Sequence, residues 1–467
     1  MRKHISLADR FGPMSFYKSA LMIALPVMAQ ALIQNLVSLI DNFMVAGLGD
    51  IKMAGVNITG QIIFLFMVFF NTVCMAGGIF MTQFFGAKDK QGMRQTFIFK
   101  LIAGTFIVAL YMFSCFVIPD KILSLMVKGN AQADLILEQG IAYMKVMGWM
   151  GIPWLFSMMI GSSLREIGEV KIPLVISVIA TLVNTFFNWC FIYGNLGCPR
   201  LEVRGAAIAT IIARSIEALI FIGYVVVKKP DFAIILSDFV HINFKLFRNI
   251  LKKAWMMICS EMLWAIAETV TTALYNGRGG ADVVSGMSAS FAIANLFFVA
   301  FGGICTATGV ILGKNLGSGN LEQAKTEKVW LLNGANVFGV FMTFFGLATM
   351  FLVPIVFKNL SPNSQKICSE MVFIMALYMP AWVYINGQFS VSRAGGDTIM
   401  GMLVDGIANG CIVIPGIFFM AKCTTLGPVA MYAIIKAVEF PKIWVAGARL
   451  NQEKWVVNLA EKNAISG

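Results

Sequence analysis

The sequence predicts an all-α polytopic membrane protein, with twelve transmembrane helices in two pseudo-symmetric six-helix lobes. Three observations predict it: an apolar composition, a regular series of long hydrophobic stretches, and an internal repeat. Hydrophobic residues make up 58% of the chain and charged residues 13%, about half the share usual in soluble domains. A soluble core of 467 residues cannot hide that much apolar surface.

Hydrophobic stretches lie near 16-46, 55-84, 96-118, 139-162, 171-193 and 205-227, and again near 254-276, 284-312, 329-353, 371-391, 399-421 and 428-447. Each is close to or above the ~20 residues that cross a hydrocarbon core. The gaps between them are short and leave almost no room for a soluble domain.

The formal charge of +12 raises the question of nucleic acid, and the placement of the basic residues answers it. Lys and Arg in loops on the side of the N-terminus outnumber those on the opposite side by more than two to one. By the positive-inside rule both termini are expected in the cytoplasm of a multi-pass plasma-membrane protein. The basic excess then sets orientation and contacts membrane lipid, with no nucleic-acid partner expected. The nine cysteines are scattered singly, mostly within spans, and read as small core residues. The first apolar run is too long for a cleaved signal and is expected to remain as the first helix.

The longest polar gap, 228-253, mixes six basic residues with an amphipathic pattern and reads as a cytoplasmic linker. It divides the chain into an N-terminal lobe, 1-229, with helices 1-6, and a C-terminal lobe, 230-467, with helices 7-12. The halves resemble each other at three places. TQFFGAKDKQGMRQ from Thr82 answers GVILGKNLGSGNLEQAK from Gly309, LREIGEVKIP from Leu164 answers SRAGGDTIMG from Ser392, and AGLGDIKMAGV from Ala46 answers NGRGGADVVSGM from Asn276. The offsets fall between 227 and 231 residues, which points to one unit laid down twice. An even number of helices per unit gives both copies the same orientation, and parallel repeats place a substrate cavity between lobes that rock about it.

Ionisable residues within spans cost at least ~2.5 kcal/mol on insertion scales, so each needs a partner or a wet cavity. Gln30, Gln34, Ser38 and Asp41 recur every three to four residues on the first span and form one polar stripe, expected to face the lobe interior. Pro26 removes a backbone hydrogen bond from that helix and is expected to kink it. Asn184 and Asn188 share a face of span 5, and Thr210 lies one to two turns into span 6. A carboxylate, two amide oxygens and a hydroxyl form a hard-oxygen set for a small cation, and the same carboxylate can take a proton instead. The competing reading makes Asp41 an interfacial residue and the asparagines interhelical contacts.

Glu261 and Glu268, seven apart on span 7, share a face, and Asp405 and Glu439 are the other deep carboxylates of the C-terminal half. These four form a possible second cation or substrate site, with the amide of Asn409 and the ammonium of Lys436 near the last two. A local Lys436 to Glu439 pair is the alternative for Glu439, and Arg214 to Glu217 reads as internal neutralisation.

The chain resembles the multidrug and toxic compound extrusion (MATE) family along nearly its whole length. The carriers are ALPVMAQALIQNLVSLIDNFMVAGLG from Ala24, TQFFGAKD from Thr82, LVNTFFNWCFIYG from Leu182, VRGAAIAT from Val203 and the SEMLW stretch from Ser260. Their order and duplication make the match specific. The resemblance implies a secondary active antiporter that exports amphiphilic organic cations, drugs or toxins, in exchange for Na⁺ or H⁺ by alternating access. It also implies no cofactor beyond the coupling ion, and function as a monomer is expected. It carries the N-terminal cation site onto Asp41, Asn184, Asn188 and Thr210, with Asp41, Asn184 and Asn188 as ligands if the ion is Na⁺. Some relatives have an aspartate where Asn188 stands. Glu261 matches the family's glutamate of span 7, but where other relatives add an aspartate in span 10 this chain has Asn386 and Gln388.

The alternative function is a flippase for a lipid-linked precursor from related folds, which calls for a cationic cavity. With no P-loop pattern, ATP is not expected to drive transport directly; an enzyme is not expected either, since it would call for His, Ser/His or paired metal ligands at a membrane face, and the only histidines, His4 and His241, lie in cytoplasmic segments.

Overall fold

The computed structural model describes residues 10–127, 132–240, 242–358 and 360–463. His4 and His241 lie outside the described residues. Most of the described residues are helical, and none of them is in a strand. α1 (Met14–Ala46), α2 (Asp50–Gly86), α3 (Lys90–Phe116), α4 (133–166), α5 (Lys171–Tyr193) and α6 (Glu202–Lys228) are followed by α7 (Phe244–Asn276), α8 (Ala281–Gly317), α9 (Leu321–Thr349), α10 (Pro362–Ala394), α11 (399–423) and α12 (428–450).

Ten of these are long and apolar enough to cross a membrane. The other two, α4 and α12, are interrupted. α4 passes through a 3₁₀ turn at Gly148–Met150, and α12 breaks between Lys436 and Glu439. α11 is continuous but contains two π-helical stretches, Met402–Gly406 and Ala408–Val413. The twelve-helix layout expected from hydropathy is present.

Helix ends are set by local chemistry. Asp89 caps α3 by accepting from the Gly92 amide, and Ser361 caps α10 in front of Pro362. The duplicated segments also close their helices alike. After α4 the amides of Gly168 and Glu169 donate to the carbonyls of Arg165 and Leu164. After α10 the amides of Gly396 and Asp397 donate to those of Arg393 and Ser392. Both turns need a left-handed residue, and Gly168 (φ 88°) and Gly396 (φ 76°) supply it.

The residues fall into two compact units. One comprises Ala29–Met81 and Asp89–Leu251; the other comprises Met1–Met28, Thr82–Lys88 and Lys252–Ala464. In the first, Trp154 of α4 stands edge-on to Phe70 of α2 (5.1 Å between centroids) and Tyr111 of α3 (6.0 Å). Beneath them Lys100, whose side chain is fully buried, pairs with Glu166 and donates to the hydroxyls of Ser162 and Ser163 at 3.2 Å.

The second unit packs α8, α9 and α10 around a core of Phe297, Met371, Met375 and Val383. The last turn of α2 belongs to this unit. Gln83 is fully buried, donates to Ala394 O (2.7 Å) and Val457 O (3.2 Å), and accepts from Leu459 N (2.6 Å).

Candidate ion site

The carboxylate of Asp41 meets the two α5 asparagines. Asn188 Nδ2 donates to Asp41 Oδ1 at 2.6 Å and to Asn184 Oδ1 at 3.2 Å. Asn184 Nδ2 in turn donates to Thr210 Oγ1 at 3.3 Å, and that hydroxyl donates to Ala206 O at 3.0 Å. Asn184 is 6% exposed and Asn188 1%, while Asp41 is half-buried. Helical spacing is the cause: Asn184 and Asn188 are one turn apart on α5, and α6 packs against α5 along its length.

In this arrangement the Asn184 carbonyl oxygen faces the carboxylate. With the amide turned over, its nitrogen stands 3.0 and 3.2 Å from the two Asp41 oxygens and donates to both. The nitrogen-facing orientation is the one that satisfies both groups. Asn188 Oδ1 is buried without a hydrogen-bond donor, which leaves an acceptor next to the carboxylate. The donor set therefore fits either a small hard cation or a proton.

The polar stripe of α1 is graded along the helix. Gln30 is buried, Gln34 and Ser38 are exposed, and Asp41 is half-buried. The three do not converge on Asp41 through any described hydrogen bond. Pro26 lies inside α1, just before the boundary between compact units at Met28 and Ala29.

The four carboxylates of the second set do not form one cluster. Glu261 of α7 accepts from Arg393 of α10 at 3.1 Å. Glu268 pairs with Lys436 of α12. Asp405 and Glu439 share Lys442 at 2.9 and 3.0 Å. The local Lys436 to Glu439 pair is thus replaced: the partly buried Lys436 ammonium takes the carboxylate of a neighbouring helix, and Glu439 pairs with Lys442 one turn on. Arg214 and Glu217 pair at 2.7 Å. Asn386 and Gln388 of α10 donate to the backbone carbonyls of Trp382 and Ile443.

Lys442, Lys100 and Arg393 were not singled out from sequence. One signal for the first was present: Tyr432, Lys436, Glu439, Lys442 and Arg449 follow one another at spacings of three, four and seven along α12.

Comparison with known proteins bears on the same chain. The MatE family model matches twice, at residues 26–190 and 256–419, starting points 230 residues apart. The probable multidrug resistance protein NorM of Thermotoga maritima is 23% identical over 423 residues, covering 88% of this chain and 87% of its own. Multidrug resistance protein MdtK of Yersinia pseudotuberculosis is 24% identical over 372 residues, covering 77% and 78%. Among solved structures, a mutant MATE protein superposes with a TM-score of 0.84 at 18% identity, covering 94% of this chain and 96% of its own. A MOP superfamily transporter of Pyrococcus furiosus gives 0.81 at 18%, covering 93% and 96%. With both repeats matched and the helical layout shared, the chain belongs to the MatE family and is a membrane transporter, not an enzyme.

Proposed function

We propose that this chain is a secondary antiporter that exports amphiphilic organic cations across the plasma membrane, driven by Na⁺ or H⁺ bound at Asp41, Asn184, Asn188 and Thr210. One observation carries the reading. Asp41 is held by amides alone, with no Lys or Arg at ion-pair distance among the described residues, while Glu261, Glu268, Asp405, Glu439 and Glu217 each face a cation. A carboxylate without a resident counter-ion can exchange its cation with solvent, and Asp41 is the candidate of this kind that lies beside Asn184 and Asn188. Coupling requires that the ion bind one conformation more strongly than the other.

The names of the relatives support multidrug export as the substrate range. Two lobes, 1-229 and 230-467, act as the rocking elements, Pro26 is the flexible point of α1, and both termini are cytoplasmic. A monomer surrounded by lipid suffices. The flippase reading requires unpaired cations for an anionic head group, and the deep cations Arg214, Arg393, Lys436 and Lys442 are each already paired.

The test is uptake of a fluorescent organic cation into inverted vesicles under an imposed Na⁺ or pH gradient. Wild type accumulates the dye and Asp41→Asn does not; equal uptake by both overturns the reading.

A further inference from the structure

Of the nine cysteines, all of them thiols in the structure, Cys198 alone lies outside the twelve helices, on the turn between α5 and α6. Cys190 stands eight residues earlier, in the last turn of α5. The two thiols are in hydrogen-bond contact.

The turn brings them together by its backbone. Gly194 ends α5 in the left-handed conformation (φ 78°), and its amide donates to Cys190 O at 2.9 Å. Leu196 (φ 56°) and Gly197 (φ 77°) continue with positive φ, so the chain doubles back over the end of the helix. The Cys198 amide then donates to Asn195 O at 3.1 Å, and the Leu201 amide to Phe191 O at 2.8 Å. Residue 198 is carried so close to α5 that a Cβ on Gly194 would stand 3.3 Å from the Cys198 carbonyl oxygen.

This corner also has room to adjust. Cys190 is buried and Cys198 half-buried, but Gly197 and Pro199 on either side of Cys198 are exposed, and a Cβ on Gly197 would meet nothing. A disulfide needs its sulfurs about 2.05 Å apart, closer than thiols in contact, and an open turn of this kind can supply the movement.

The position along the membrane normal matters as much as the contact. Trp189 and Tyr193 flank Cys190 and are both exposed, the residue types that mark the level where lipid meets water. With both termini cytoplasmic, the odd-numbered helices end on the outer face, and the turn after α5 lies outside. Paired thiols there meet an oxidising compartment, where disulfides form and persist.

We propose that Cys190 and Cys198 are joined by a disulfide on the extracytoplasmic face of the N-terminal lobe. The oxidant is a disulfide-carrying thiol oxidoreductase of that compartment. The more accessible Cys198, as thiolate, attacks one sulfur of the oxidant's disulfide and releases the other as a thiol. Cys190 then displaces the oxidant from the mixed disulfide. Two electrons and two thiol hydrogens pass to the oxidant, which leaves as a dithiol. The bond ties the helix end just beyond Asn188 to the turn that leads into α6. It rests on the orientation given above and not on ion coupling.

The experiment uses the full chain expressed in a bacterial host. Trypsin cuts after Lys171 and Arg200, and the peptide 172–200 between them holds these two cysteines and no other. Cells are quenched in acid, the protein is denatured, and free thiols are blocked with N-ethylmaleimide before digestion. The peptide is expected to carry no maleimide, to weigh two hydrogens less than its thiol form, and to accept two maleimides once reduced. Two maleimides without reduction, or one with the other sulfur bound elsewhere, overturn the proposal. In the first case a membrane-impermeant maleimide on intact cells tells which premise failed. No labelling of the peptide puts the turn in the cytoplasm, and labelling shows that outward-facing thiols stay apart. Dithiothreitol is expected to lower the thermal midpoint of wild type by a few degrees and to leave Cys198→Ser unmoved; an equal response in both overturns the tie between the helix end and the turn. Gradient-driven dye uptake decides the antiporter reading separately, so either can fall alone.

Discussion

Asn188 of α5 donates a 2.6 Å hydrogen bond to Asp41 of α1 while its own carbonyl oxygen stays buried without a donor. A short bond to a carboxylate is the strong kind, worth about 1.5–3 kcal/mol. Asn188 therefore positions the acid and also shields it. Replacing Asn188 by Leu removes the donor and keeps most of the volume. Ion affinity measured through gradient-driven dye uptake is expected to weaken about tenfold or more, the equivalent of roughly 1.4 kcal/mol or above, with expression and helical content retained. Uptake with an unchanged ion dependence contradicts this role.

Asn188→Asp tests the same place in the opposite direction. It adds a second carboxylate next to Asp41 in a half-buried setting, and two like charges at that range cannot both stay ionised unless a cation joins them. The variant is expected to raise the dependence of uptake on Na⁺ if Na⁺ is the coupling ion, and to shift the pH at which uptake is half-maximal if it is H⁺. A variant identical to wild type under both gradients shows that residue 188 does not face the ion.

Much of the architecture was legible before the structure. Hydropathy located all twelve spans because each presents an apolar surface to lipid, and the Thr82 and Gly309 repeats announced the duplication. Asp41, Asn184 and Asn188 were legible as a set because two of them share a helix face and the third is the one acid on its span. The breaks in α4 at Gly148 and in α12 after Lys436 were not, since a wide hydropathy window smooths over a few residues of turn. The partners of the C-terminal acids were also hidden. Lys436 reaching Glu268 and Arg393 reaching Glu261 are contacts between helices, and sequence spacing constrains only neighbours on the same helix.

Glu261 illustrates that difference. Its carboxylate accepts from Arg393 at 3.1 Å, and both side chains are between a fifth and a third exposed. A pair this accessible contributes less than a dry one, and solvent screens what remains when one member is lost. Glu261→Gln is expected to lower the thermal midpoint by a few degrees and leave driven uptake within about twofold, a change of under 1 kcal/mol. Reversing the pair, Glu261→Arg with Arg393→Glu, is expected to restore the midpoint. Abolished uptake in Glu261→Gln, unrescued by the reversal, moves this residue into the ion pathway.

The last prediction concerns the turn that follows α10. Gly395 packs its α-carbon against the Trp455 carbonyl so closely that any Cβ there would overlap the oxygen. Gly396 beside it needs positive φ, and the neighbouring Ala394 carbonyl is the acceptor of the buried Gln83 amide. One methyl group at residue 395 therefore forces the 455–459 segment outward and strains the three hydrogen bonds of Gln83 with it. Overpacking of this kind costs about 1–3 kcal/mol, and the bonds add to it. Gly395→Ala is expected to lose thermal stability by several degrees, and to lose no more when Gln83→Leu is added, because the two changes disrupt one packed unit. Additive losses in the double variant show instead that the C-terminal segment and the end of α2 are held independently.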